Sequence, residues 1–145
     1  NIIKVDNAEA DDVIFLLTKL MTNEAKDVNI ISTDSDFYQL LCDKVKMYEI
    51  SLKEIVINKI PDFNILNDEN YMKNLLLFKI LKGDRSDNIK GLHINKKSFN
   101  IENIINLTSK KNNINVFIRN RKLIDSNYIP FKIKEKVLSI YKNMV

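Results

Sequence analysis

No apolar run in this 145-residue chain approaches the roughly 18 residues of a membrane span, so no transmembrane helix is expected. No basic start followed by an apolar stretch opens it, so no signal peptide is expected either. Cysteine is nearly absent. The single thiol, Cys42, excludes an internal disulfide, suits a reducing cytoplasm, and reads as core filling rather than as a nucleophile. There is no internal repeat and no low-complexity linker. Histidine occurs once, at His93 in a basic stretch, and reads as a solvated loop residue. The chain opens at Asn1 directly in the apolar segment IIKV, so a preceding part of a longer protein is expected.

What is present is charge, unevenly placed. The net charge of +4 conceals 11 Lys/Arg against 16 Asp/Glu in residues 1–87 and 12 against 3 in residues 88–145. An acidic half and a basic half point to a cation site beside a surface for a polyanion; the plain alternative is two solvated faces.

Periodicity gives the fold class. IIKV (Ile2–Val5) reads as a strand. The segment from Asn7 to Glu24 reads as a helix with Val13, Leu16, Leu17 and Leu20 on its apolar face. VNIIS is a second strand, DFYQLL a short helix, KVKMYEI a third strand with the lysines of an edge, and EIVI a possible fourth. That alternation is the mark of an α/β fold, a parallel sheet with flanking helices. Pro61 interrupts it. A helix then runs from Asp68 until Gly83 stops it, with Tyr71, Phe78 and Leu81 as core. Beyond Gly91 the chain is basic and helical, and its last helix starts near Pro130 with an apolar stripe through Ile133, Val137, Ile140 and Tyr141.

Three acidic clusters stand out: Glu9, Asp11 and Asp12 in EADD; Asp34 and Asp36 in STDSDFYQLL; and Asp84 and Asp87 in GDRSDN. The first two follow expected strands, whose ends share one rim in an open parallel sheet. Each cluster alone is compatible with helix capping. A helix starting near Ala10 frees Glu9 to turn toward Asp11 and leaves Asp12 a supporting or capping role. Together, crowded carboxylates repel, and divalent cations relieve that conflict. All-oxygen ligation selects hard ions such as Mg²⁺ or Mn²⁺ over zinc, and such sites perform two-metal phosphoryl chemistry. Phe37 and Tyr38, beside the second cluster, read as packing.

EADD after a strand, STDSDFYQLL, and KILKGDRSDNIKG, in this order, resemble the 5′-nuclease (flap endonuclease) family. The tail RKLIDSNYIPFKIKEKVLSIY makes the chain most similar to the T-even phage ribonuclease H type. The resemblance implies a PIN-like core in residues 1–87, the C-terminal part of the catalytic α/β domain without its N-terminal strand and arch. Residues 88–145 would form a helical duplex-binding region of the helix–three-turn–helix kind. It also implies two Mg²⁺ (or Mn²⁺) ions held by Glu9, Asp11, Asp34, Asp36, Asp84 and Asp87. The implied reaction is in-line hydrolysis near the 5′ ends of branched or nicked duplex DNA and RNA–DNA, removing primers and leaving a 5′-phosphate and a 3′-hydroxyl. Lys90, Lys96 and Lys97 would contact phosphates, and Lys110, Lys111, Arg119, Arg121 and Lys122 would extend the track around Phe117 and Ile118. A single-stranded-DNA-binding protein or a sliding clamp are the candidate protein partners. The stretch GLHINKKSF has Gly91 but no second glycine, unlike the glycine-rich, potassium-binding hairpin of many members. The alternatives are a DNA-binding fragment that grips duplex without cleaving it, and a small PIN-type nuclease, which leaves the basic C-terminal part unexplained.

Overall fold

The structure, a computed structural model, describes residues 2–56 and 71–144, with the side chain of Tyr71 excepted. Pro61, Ile57, the helix start at Asp68 and the core role of Tyr71 lie outside the described residues. The chain divides into two compact units, Asn1–Ile57 with Ile129–Val145, and Asn58–Tyr128. The boundaries of these units do not fall after Asp87, where the sequence reading divides the chain.

The first unit begins with helix α1 (Ala10–Asn23), which starts where Glu9 stays extended at φ −77° and ψ 158°. The Asp12 carboxylate accepts from the Glu9 N–H at 3.2 Å, satisfying one of the amides a helix start leaves open. The buried face of α1 is Val13, Phe15, Leu16 and Thr18; Leu17 and Leu20 are only half-buried. Strand β1 (Val28–Ile31) pairs in parallel with β2 (Val45–Tyr48), in register Val28 to Val45 through Ile31 to Tyr48. Between them lies a 3₁₀ helix, Ser35–Leu40, which drives Phe37 into the core at 2% exposure. Phe15 of α1 meets Phe37 with ring centroids 5.4 Å apart. Burying such a ring is worth roughly 1.5–3 kcal/mol.

Helix α5 (Phe131–Lys142) completes this unit. Pro130 sits at its N-cap, and Ile133, Val137 and Tyr141 are its buried stripe, with Ile140 half-buried. It packs on α1. Tyr141 donates to the Glu24 carboxylate at 2.6 Å and accepts from the Lys26 ammonium at 2.9 Å. So the last helix, expected within the basic helical region, closes the α/β unit instead: its apolar stripe needs a partner and finds it across the chain.

Three further expectations are corrected. Ile2–Val5 forms no strand; Val5 is buried, but Ile2 is 99% exposed and no strand partner stands beside the segment among the described residues. Glu54 makes only a single antiparallel bridge to Tyr48, because the chain reverses tightly through Leu52 at φ 61°. Cys42 is exposed, since Leu41 takes the core position at 5% exposure and Cys42 turns outward in the loop leading to β2.

The second unit, in its described part, opens with α2 (Tyr71–Lys82), which ends at Gly83 with φ 73°. A two-residue strand β3 (Gly83–Asp84) pairs antiparallel with β4 (Ile89–Lys90), matching Gly83 to Lys90. A short 3₁₀ turn (Lys96–Ser98), α3 (Ile101–Thr108) and α4 (Lys111–Ile124) follow. Asn95 caps the turn and Asn100 caps α3 through their side-chain oxygens. The core is Phe78, Leu81 and Phe99, with Leu77, Leu92, Ile94, Ile104 and Phe117 packed around it. Phe78 and Phe99 meet edge-on at 5.2 Å.

The sequence holds only two glycines, Gly83 and Gly91. A Cβ on Gly91 would stand 1.8 Å from the Lys82 carbonyl oxygen, and one on Gly83 would stand 2.3 Å from that of Ile89. Gly83 and Gly91 thus lie where two backbones meet without side chains between them.

Candidate functional site

In the first unit, α1 carries its acids in its first turn. Asp11 lies one helical turn before Phe15, and Asp36 lies immediately before Phe37, so the aromatic contact docks the two acidic segments through their neighbours. Asp34 caps the 3₁₀ helix, accepting from the Asp36 N–H at 2.8 Å. Its own N–H donates to the Ser32 hydroxyl at 3.1 Å. The cap uses one carboxylate oxygen of Asp34 and leaves the other available, so capping and ligation are compatible. Tyr38 is half-buried rather than core, and burial, reinforced by the charges of Glu49 and Asp34, pushes its hydroxyl pKa up.

In the second unit the turn between β3 and β4 carries the third acidic pair. Asn88 holds the turn at φ 57°, a conformation asparagine tolerates well. One carboxylate oxygen each of Asp84 and Asp87 lie within 4.8 Å of one another. Asp84 is 16% exposed in its side chain and Asp87 is exposed. The Ser86 N–H donates to Asp84 at 2.9 Å, the Ser86 hydroxyl donates to the same oxygen, and the Lys79 ammonium sits 3.2 Å from the other. Burial pushes the Asp84 carboxyl up, but Ser86 and Lys79 outweigh it and hold the group below the usual carboxylate range. It is thus a carboxylate already drawn to a cation. The donor set of this turn is carboxylate oxygen, which fits a hard divalent ion.

The basic residues divide into two kinds. Lys90, Lys97, Lys110, Lys111 and Lys122 are exposed, as is Lys96 in the short 3₁₀ turn. Lys110 and Lys111 stand at the N-terminus of α4, where no acidic residue offsets them. Arg119 and Arg121 are engaged internally. Arg119 donates to the Lys90 carbonyl at 2.6 Å and to the Asn120 side chain. Arg121 pairs with Asp125 at 3.5 Å and lies 5.3 Å over the Tyr128 ring. Phe117 joins the core while Ile118 is 47% exposed. His93 is exposed and lines a cleft of about 330 Å³ with Ile94, Asn103 and Lys110 among others. No helix among the described residues is long and apolar enough to cross a membrane.

A family model described as 5′-3′ exonuclease, N-terminal resolvase-like domain, matches residues 1–73. The chain belongs to this 5′-3′ exonuclease family. It is 34% identical over 113 residues to a 5′-3′ exonuclease of Buchnera aphidicola, covering 70% of this chain and 38% of that protein. It is 28% identical over 164 residues to Ribonuclease H of Enterobacteria phage T4, covering 98% of this chain and 51% of that protein. Among solved structures, a mutant T5 5′-exonuclease superposes with a TM-score of 0.68 at 25% identity, over 95% of this chain and 68% of that one. A T5 flap endonuclease in complex with DNA and metal ions superposes at 0.61 and 20% identity, over 88% and 56%, a likeness of fold. The fold is thus that of the 5′-nucleases, α/β with a parallel strand pair and many helices. The chain spans 38% of the Buchnera relative and about half of the phage T4 one.

Proposed function

We propose that this chain is part of a metal-dependent 5′-3′ nuclease that hydrolyses phosphodiesters near 5′ ends of branched or nicked DNA and RNA–DNA. The observation that carries the reading is the β3–β4 turn, where Asp84 and Asp87 offer carboxylate oxygens within 4.8 Å in a chain of this family. Glu9, Asp11, Asp34, Asp36, Asp84 and Asp87 would hold two Mg²⁺ or Mn²⁺ ions. Those ions, when bound, would supply Lewis acidity toward the phosphoryl oxygens and toward water.

The chain's own residues do the rest. Asp12 fixes the Glu9 backbone through its helix-start hydrogen bond, and the Phe15–Phe37 contact docks α1 against the 3₁₀ helix that carries Asp36. Lys90, Lys96, Lys97, Lys110, Lys111 and Lys122 neutralise phosphates along the duplex, setting register without reading sequence. Arg119 and Arg121 complete the basic set while bracing the helix that bears it. Primer removal during replication, in the company of a single-stranded-DNA-binding protein or a sliding clamp, is the setting this chemistry fits.

The test is cleavage of a 5′-flap DNA by the full-length protein in Mg²⁺, compared with its Asp34→Ala/Asp36→Ala double variant. Loss of cleavage with retained duplex binding supports the reading; unchanged cleavage removes both residues from the mechanism. Duplex binding without cleavage by the unsubstituted protein would instead favour a gripping, non-catalytic role.

A further inference from the structure

Asn120, in the middle of α4, is 0% exposed. A buried amide must place two N–H donors and an oxygen acceptor, and here each has a partner. Its Nδ2 donates to the Ile80 carbonyl at 2.9 Å and to the Lys90 carbonyl at 3.0 Å. Its Oδ1 accepts from Arg119 Nε at 3.1 Å and Nη2 at 2.8 Å. Only this orientation works, because the reverse would aim the oxygen at two carbonyls and the amino group at a guanidinium. The same Arg119 Nη2 reaches the Lys90 carbonyl at 2.6 Å.

The partners have a common meaning in the chain. Ile80 lies on the last turn of α2, just before Gly83 and Asp84, and Lys90 is the residue paired with Gly83. One side chain therefore grips both ends of the segment that carries Asp84 and Asp87. A leucine, with the same branching at Cγ, would avoid the desolvation cost of a polar group, and asparagine is a poor residue for a helix interior. What the amide adds is direction: two fixed hydrogen bonds that hold the ends of α2 and β4 at one separation.

We propose that Asn120, braced by Arg119, is a positioning residue for the Asp84–Asp87 pair, fixing the neck of their turn so that two carboxylates keep the spacing a divalent cation needs. This rests on the metal-dependent nuclease reading above. It also gives Arg119 a task distinct from phosphate contact.

The experiment measures Mn²⁺ affinity of the full-length protein by the paramagnetic resonance signal of free Mn²⁺, for the unsubstituted chain, Arg119→Gln, Arg119→Lys, Asn120→Asp and Asn120→Leu. Circular dichroism reports folding. Arg119→Gln should remain folded and bind Mn²⁺ about 10–100-fold more weakly, as for residues that orient metal ligands. The sign is diagnostic: removing a positive charge by itself tightens cation binding, so weakening can come only from lost geometry. Arg119→Lys keeps the charge without the planar fork and should recover only part of the affinity. If the Asn120 variants do not fold, Arg119→Gln decides. Wild-type Mn²⁺ affinity in folded Arg119→Gln overturns the proposal and leaves the nuclease reading standing. Absence of Mn²⁺ binding by the unsubstituted protein overturns both.

Discussion

Substituting Gly91 by alanine places a methyl group where the structure has backbone. The new Cβ would stand 1.8 Å from the Lys82 carbonyl oxygen, 2.0 Å from its carbon and 2.5 Å from the Gly83 nitrogen. None of these atoms can rotate away, so the strand containing Lys90 and Gly91 must retreat from the end of α2. Three kinds of hydrogen bond cross that gap: the Leu92 N–H to the Leu81 carbonyl at 2.6 Å, the β3–β4 pairing, and Asn120 to the Lys90 carbonyl. At about 1 kcal/mol each, their loss costs about 3 kcal/mol. Alanine also restricts the unfolded chain, which returns about 0.4–1 kcal/mol. The net destabilisation is therefore about 2–3 kcal/mol. Urea denaturation followed by circular dichroism should show a lowered midpoint, and native-state hydrogen exchange should show the Leu92 amide losing protection. Lys90→Ala, at an exposed side chain, is the control and should change stability by less than about 0.5 kcal/mol. A Gly91→Ala midpoint within that same margin would refute the close approach of the two strands.

Other outcomes follow from the same geometry. Glu24 is held below the usual carboxylate range by hydrogen bonds from Lys26 and Tyr141, so the α1–α5 link is complete above the ordinary glutamate pKa and is lost as pH falls through the lowered value. Lys26 is held above its ordinary value by Glu24 and Tyr141, so its share persists at neutral pH and is lost only in strong base. Tyr141→Phe should flatten the acid limb of a urea-midpoint-versus-pH profile; an unchanged limb would contradict the network. Lys96→Ala/Lys97→Ala should reduce the slope of log K against log salt for duplex binding by about 1.8, since each neutralised phosphate contributes about 0.9. An unaltered slope would remove this turn from the phosphate track.

Much of the fold was legible where local chemistry set it. Glu9 and Ala10 marked the start of α1, the run Val28–Ile31 was a strand, and Gly83 ended α2 by taking the positive φ that other residues avoid. Pro130 and its apolar stripe announced α5. Periodicity says which face of a helix is buried but not against what, so the docking of α5 on α1 was invisible. The failed strand at Ile2–Val5 shows the same limit, because an apolar run needs a neighbour to pair with. Cys42 looked like core by composition, while the turn geometry gave that position to Leu41. In the candidate site, the acidic residues were legible as types at helix starts and turns. Asn120 was not: an asparagine among the lysines and arginines of α4 reads as a solvated face, and only its burial and its two carbonyl partners reveal it.

The central proposal is that the carboxylates of the β3–β4 turn hold a divalent cation. Mn²⁺ titration of the full-length protein, with Asp84→Asn, Asp87→Asn and the double variant, tests it most directly. The account predicts that each single substitution weakens the same binding event and that the double variant costs less than the sum of the two in free energy, as coupled ligands do. Independent losses that add, or a binding event untouched by either substitution, would contradict it.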